Sequence, residues 1–235
     1  MARPPRLAVP GHAHYLIQRG HNGQPVFLGD EDRALYLAAL REAAATCRLA
    51  VHAYALLGSE VHLLATPPDA QALSRTMQAL GRVYVAGFNR RHGRSGTLWQ
   101  GRFRAAVVEP GAPLLAAMRL IDGMPAVTDT DPAADPGDDR PALRSSAAHR
   151  LGRRRDPLLT DPPEYWRLGN TPFEREAGWR TLLVQGLPQA EADALRASAL
   201  RGGVLGSAAF VQALAARIER PLQPKARGRP RKAPG

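Results

Sequence analysis

Apolar positions in this chain of 235 residues follow two periods, one near two and one near 3.6. Residues 13–18 (AHYLIQ) form a short apolar-rich run closed by Gly20 and Asn22, which predicts a strand. Across 31–47, Leu35, Leu37, Ala39, Leu40 and Ala44 recur along a helical face, with Asp30 placed as its N-cap. Residues 49–57 and 60–66 read as two strands around a Gly58-Ser59 turn, a hairpin. From 70 to 91, Leu73, Met77, Leu80, Tyr84 and Phe88 are spaced by three or four, which predicts a long helix. A fourth strand is expected over 103–109 and a short helix over 112–122. Strand, helix, strand, strand, helix, strand, helix is the order of an α+β fold: a ferredoxin-like antiparallel sheet with helices on one face.

The pattern changes after residue 124. Residues 129–141 are rich in Asp, Pro and Gly, so a linker is placed at 129–143. Two or three short helices are expected within 174–218, separated by Pro188 and Gly202-Gly203. Residues 221–235 are rich in Pro, Gly, Lys and Arg and read as a disordered tail. The expected organisation is therefore a ferredoxin-fold domain (1–128), the linker, a small helical C-terminal extension (144–220) and the tail.

Charge narrows the class of partner. The chain carries 32 Lys+Arg against 21 Asp+Glu, a net +11, and the positive charges cluster, which points to a polyanion. The lone Cys47 excludes an intrachain disulfide and fits a reducing cytoplasm. No apolar run approaches the ~18–20 residues needed to span a bilayer, so no membrane partner is expected.

Three stretches carry a resemblance: 80–108 (LGRVYVAGFNRRHGRSGTLWQGRFRAAVV), 145–183 (SSAAHRLGRRRDPLLTDPPEYWRLGNTPFEREAGWRTLL) and 2–40. Together they resemble the REP-associated tyrosine transposases of the HUH class. The resemblance implies binding of single-stranded or hairpin DNA and transposition through a tyrosine that becomes joined to a 5′ phosphate. It also implies a divalent metal, Mg²⁺ or Mn²⁺, held by a His-hydrophobic-His pair on a central strand. Alternation along a strand turns residues i and i+2 to one face, so two such ligands converge.

The resemblance breaks where that chemistry would reside. In place of the family's Pro-Asn-His-hydrophobic-His-Leu-Leu stands Gly58-Ser59-Glu60-Val61-His62-Leu63-Leu64, leaving Glu60 and His62 as a weak candidate metal pair. The stretch resembling the nucleophile helix reads Arg119-Leu120-Ile121-Asp122-Gly123-Met124-Pro125-Ala126. The tyrosine position is Leu120, and a polar position four residues on is Met124. A hydrocarbon cannot attack phosphorus. Tyr84 is the nearest tyrosine in sequence, and it sits on an apolar stripe that assigns it to the core. His12 and His14 read as incidental.

Binding residues remain. Arg82, Arg90, Arg91, Arg94, Arg102 and Arg104 surround Phe88, Trp99 and Phe103, with Trp99 in a Gly-rich loop expected to be exposed as a stacking platform. Arg153, Arg154 and Arg155 form a second cluster with Arg150. The Arg-Gly-Arg-Pro core at Arg227, Arg229 and Arg231 resembles an AT-hook suited to an A·T-rich minor groove. The sequence thus reads as a DNA-binding protein of this family, catalytically impaired, with a homodimer left open. Two alternatives stay open: an active transposase using a non-standard nucleophile, and an RNA-binding module.

Overall fold

The computed structural model describes residues 7–128 and 144–218. The linker and the basic tail, with Arg227, Arg229 and Arg231, lie outside the described residues. Chain order is β1 (Ala13–Arg19), α1 (Asp30–Cys47), β2 (Ala50–Leu56), β3 (Glu60–Thr66), α2 (Ala72–Arg91), β4 (Arg104–Val108), α3 (Ala112–Thr128), α4 (Ala147–Arg150), α5 (Pro163–Trp166), α6 (Pro172–Gln185), α7 (Gln189–Arg201), β5 (Val204–Leu205) and α8 (Ala208–Ile218). The sheet order is β2-β3-β1-β4-β5. Its first four strands are antiparallel neighbours, and β5 adds to β4 in parallel.

Local sequence accounts for most of these elements. Gly58-Ser59 forms a two-residue hairpin loop, closed by mutual hydrogen bonds between Leu57 and Glu60 at 2.9 and 3.3 Å. The N-cap of α1 is Gly29 rather than Asp30. Asp30 instead pairs with Arg33 at 2.9 Å, while Asp32 accepts the Leu28 N–H at 2.9 Å. Helix α6 opens with Pro172 in its first turn and a reciprocal Thr171–Glu174 capping box. Gly202 ends α7 in the left-handed region at φ 77°.

Helices α1 and α2 cover one face of the sheet, as expected. They pack closely at Gly87, where an added Cβ would meet Leu35 Cδ2 at 2.7 Å. Between them and the sheet lies an aromatic cluster of Phe27, Tyr36, Tyr84, Phe88 and Trp99. The other face is also covered, which corrects the expectation of helices on one face: α3, α6 and α7 pack there around Tyr15, Ile17, Leu64, Ala106 and Trp179. The reason lies in the strands themselves. Residues 13–17 and 61–65 are buried at both parities, and a strand that is apolar on both sides needs a cover on each. The helices after residue 144 supply much of the second cover.

His14, fully buried at the start of β1, accepts the Val9 N–H on Nε2 at 3.1 Å and bonds the His12 carbonyl through Nδ1 at 2.8 Å. That pattern requires the neutral ring, and burial lowers its pKa from 6.5 to about 4. The unfolded chain therefore takes up this proton at higher pH than the folded one. Stability should be complete above pH 6.5 and fall towards pH 4, by up to about 3 kcal/mol from this residue. Denaturant midpoints measured across that range should drop in the native chain and drop less in His14→Gln. Equal slopes would assign the effect to His52 and His62, whose pKa values burial also lowers.

Candidate functional site

On β3, Glu60, His62 and Leu64 share the face covered by α3 and α7, as strand alternation requires. The neighbouring strand sets Arg19 opposite Glu60 and Ile17 opposite His62. Four side chains meet there. The buried Tyr15 hydroxyl lies 2.8 Å from His62 Nδ1, His62 Nε2 lies 3.2 Å from Glu60 Oε2, and Arg19 Nε lies 2.8 Å from Glu60 Oε1. Burial pushes the Tyr15 phenol up, so it keeps its proton and donates to Nδ1. Nε2 then carries the ring proton and donates to the Glu60 carboxylate. Burial lowers the His62 pKa. The hydrogen bond from His62, with the charges of Arg19 and Arg196, holds Glu60 below the usual carboxylate range. The chain thus runs from neutral phenol to neutral imidazole to carboxylate to guanidinium, and it meets solvent at Glu60 and Arg19.

The pair expected as metal ligands is therefore brought together, and each is the other's partner. Among the described residues, no group of three or more His, Cys, Asp or Glu side chains is placed to hold a metal. Leu120 is half-buried on α3 and packs into the apolar cluster on this face, with Met124 buried in the same cluster. Between them in sequence, Asp122 is buried and accepts from Ser146 Oγ, from Arg150 Nη1 at 2.8 Å and from Trp179 Nε1 at 3.2 Å. Burial pushes its carboxyl up, and Arg150, Ser146 and Trp179 pull it back.

Several expected binding residues move. Trp99 is 8 % exposed and packs against Tyr36 and Tyr84, so it is a core residue and not an exposed platform. The Gly-rich segment around it is a loop, but the indole fills a gap among the aromatics below. Phe88 and Phe103 are core as well. Tyr84 donates to the Val26 carbonyl inside the cluster on the opposite face from His62. Arg82, Arg90, Arg102, Arg104, Arg153, Arg154 and Arg155 are exposed. Arg91 pairs with Glu31, and Arg94 bonds Gln24 at 3.1 Å and lies over Phe88. Arg150 belongs to the interior, not to the cluster that follows it.

No family model and no curated protein matches the chain. Among solved structures, a REP-associated tyrosine transposase bound to a REP hairpin aligns over 70 % of this chain and 93 % of its own, at 15 % identity and a TM-score of 0.50. This chain has the fold of a REP-associated tyrosine transposase. A transposase candidate from Deinococcus radiodurans R1 aligns over 46 % of this chain and 88 % of its own, at 21 % identity and a TM-score of 0.36.

Within this transposase fold, sequence reasoning missed Tyr15, Arg19 and the Asp122–Arg150 pair. Tyr15 and Arg19 join the site through strand register, which sequence spacing does not reveal. Removing one partner of a buried ion pair strands the other, at a cost of about 3–5 kcal/mol. Arg150→Ala should lose about that much in a denaturant titration. Asp122→Leu combined with Arg150→Met should recover most of it. A loss below about 1 kcal/mol for the single variant would show that the pair is not charged.

Proposed function

We propose that this chain is a DNA-binding protein of the REP-associated tyrosine transposase family whose strand-cutting centre is impaired. The observation that carries the reading is the pairing of Glu60 with His62 at the positions of the family's two metal ligands. As arranged, this donor set does not fit a divalent metal. The imidazole nitrogen nearest the carboxylate carries a proton, the other nitrogen accepts from Tyr15, and among the described residues no third ligand converges. Leu120, at the nucleophile position, offers no lone pair. Met124 is a soft donor, ill-suited to Mg²⁺ or Mn²⁺.

Binding does not depend on that centre. The net charge of +11 and the exposed arginines at 82, 90, 102, 104 and 153–155 suit a phosphate backbone. The solved structure with a like fold is described as bound to a REP hairpin, which makes hairpin DNA the first partner to test. The tail arginines at 227, 229 and 231 would add contact with A·T-rich duplex, and the single cysteine suits a reducing cytoplasm.

Hairpin binding should be steeply salt-dependent, with each neutralised phosphate adding about −0.7 to −0.9 to the log–log slope. A flat slope, or no complex at low salt, would sink the binding half of the proposal. On incubation with labelled hairpin and Mg²⁺ or Mn²⁺, the native chain should yield no adduct on a denaturing gel, while Glu60→His combined with Leu120→Tyr should yield some. An adduct from the native chain would overturn the impairment. Tyr15, 2.8 Å from His62, would then be the residue to replace first, ahead of the remote Tyr84.

A further inference from the structure

Of the three tryptophans, Trp99 and Trp179 are interior at 8 % and 0 % exposure, while Trp166 at the end of α5 is 53 % exposed. Its indole is nonetheless held in place. Nε1–H donates to the Asp161 carbonyl at 3.2 Å, and the buried Tyr165 meets it at 70° with centroids 6.4 Å apart. The Arg175 guanidinium lies over the ring, 4.4 Å from its centroid, and is itself fixed by a 3.1 Å bond to the Gly169 carbonyl. Holding a large apolar ring immobile in water costs rotamer freedom and leaves its surface hydrated. The arrangement gains its return when something flat covers the ring.

The surroundings say what that is. Asp161, which orients Trp166, also receives His149 of α4 at 3.4 Å. The turn after α4 abuts α6, since a Cβ at Gly152 would strike the Glu176 carboxylate at 2.5 Å, one residue beyond Arg175. These contacts tie the turn that carries the exposed Arg153, Arg154 and Arg155 to the segment and helix that hold Trp166 and Arg175. A platform of indole and guanidinium tied to a turn of three arginines suits a base and its flanking phosphates, because every base offers a π-face and every linkage a negative charge. An apolar protein partner would meet this charge unpaired.

We infer that Trp166 and Arg175 form a stacking site for an unpaired base of single-stranded or hairpin-loop DNA, with Arg153–Arg155 taking the adjacent phosphates. The inference rests on the DNA-binding reading above and deepens it.

The test titrates the full chain with oligothymidylate, oligouridylate and a fully paired blunt duplex. Bound oligothymidylate should quench tryptophan emission in the native chain and leave it unchanged in Trp166→Phe. Trp166→Ala should weaken oligothymidylate binding about ten-fold and duplex binding less than about two-fold, with Trp166→Phe retaining most of the affinity. An undiminished affinity in Trp166→Ala, with the native chain still binding, would overturn the stacking site and leave the DNA-binding reading standing. Failure of the native chain to bind any of the three would overturn both. Equal losses on single strand and duplex would overturn the unpaired base, and a loss confined to oligouridylate would overturn DNA as the partner. If sedimentation showed that Trp166→Ala dissolves a dimer without affecting DNA affinity, the surface would be a protein interface instead.

Discussion

One buried carboxylate holds the C-terminal half of the molecule against the sheet. Asp122 sits on α3 with its side chain fully buried, a position that would cost several kcal/mol for an unpaired ion. Its partners come from separate segments: Ser146 ahead of α4, Arg150 at the end of α4 and Trp179 on α6. Arg150 continues the chain of contacts by donating to the His52 carbonyl of β2 and lying over the rings of Tyr165 and Trp179. None of these groups can leave without stranding another. The requirement that charge inside a protein be met by charge and hydrogen bonds therefore fixes where α3, α4 and α6 lie, and with them the second face of the sheet.

That cover decides what the central strands can present. His62 and Tyr15 point towards it, so both are interior groups, and their polar atoms must find partners among themselves. Tyr15, His62 and Glu60 do so in sequence, with Arg19 closing the chain at the surface. A histidine at position 60 would offer a neutral ring to the same neighbours. A glutamate offers a charge that Arg19 and the His62 N–H satisfy.

Much of this was readable beforehand because it is local. The Gly58-Ser59 loop, the spacing of Leu73, Met77, Leu80, Tyr84 and Phe88, and the breaks at Pro188 and Gly202 each act within a few residues. What escaped was non-local. Trp99 reads as a loop aromatic until the cluster of Tyr36 and Tyr84 is assembled beneath it, and Arg150 reads as one of four surface arginines until Asp122 is found beside it. Two-residue β5 has no periodicity to detect and exists because the Gly203 and Leu205 carbonyls accept from Val107 of β4 and from Glu109 just after it. The second layer of helices did leave a trace. Apolar residues at both parities in 13–17 and 61–65 are the mark of strands buried on two sides, and an alternating, one-sided reading passes over it.

Positions 120 and 124 also separate fold from chemistry. Leu120 and Met124 lie in the apolar cluster that joins α3 to the sheet, and both add to it by burial. A tyrosine at position 120 would bring a hydroxyl that this cluster would have to satisfy, which leucine does not. The carboxylate at position 60 is met locally, by Arg19 and His62. A scaffold in which each of these side chains is locally satisfied does not depend on any of them as a reactive group for its packing. Its exposed arginines rest on the fold beneath them and not on a reactive group within it.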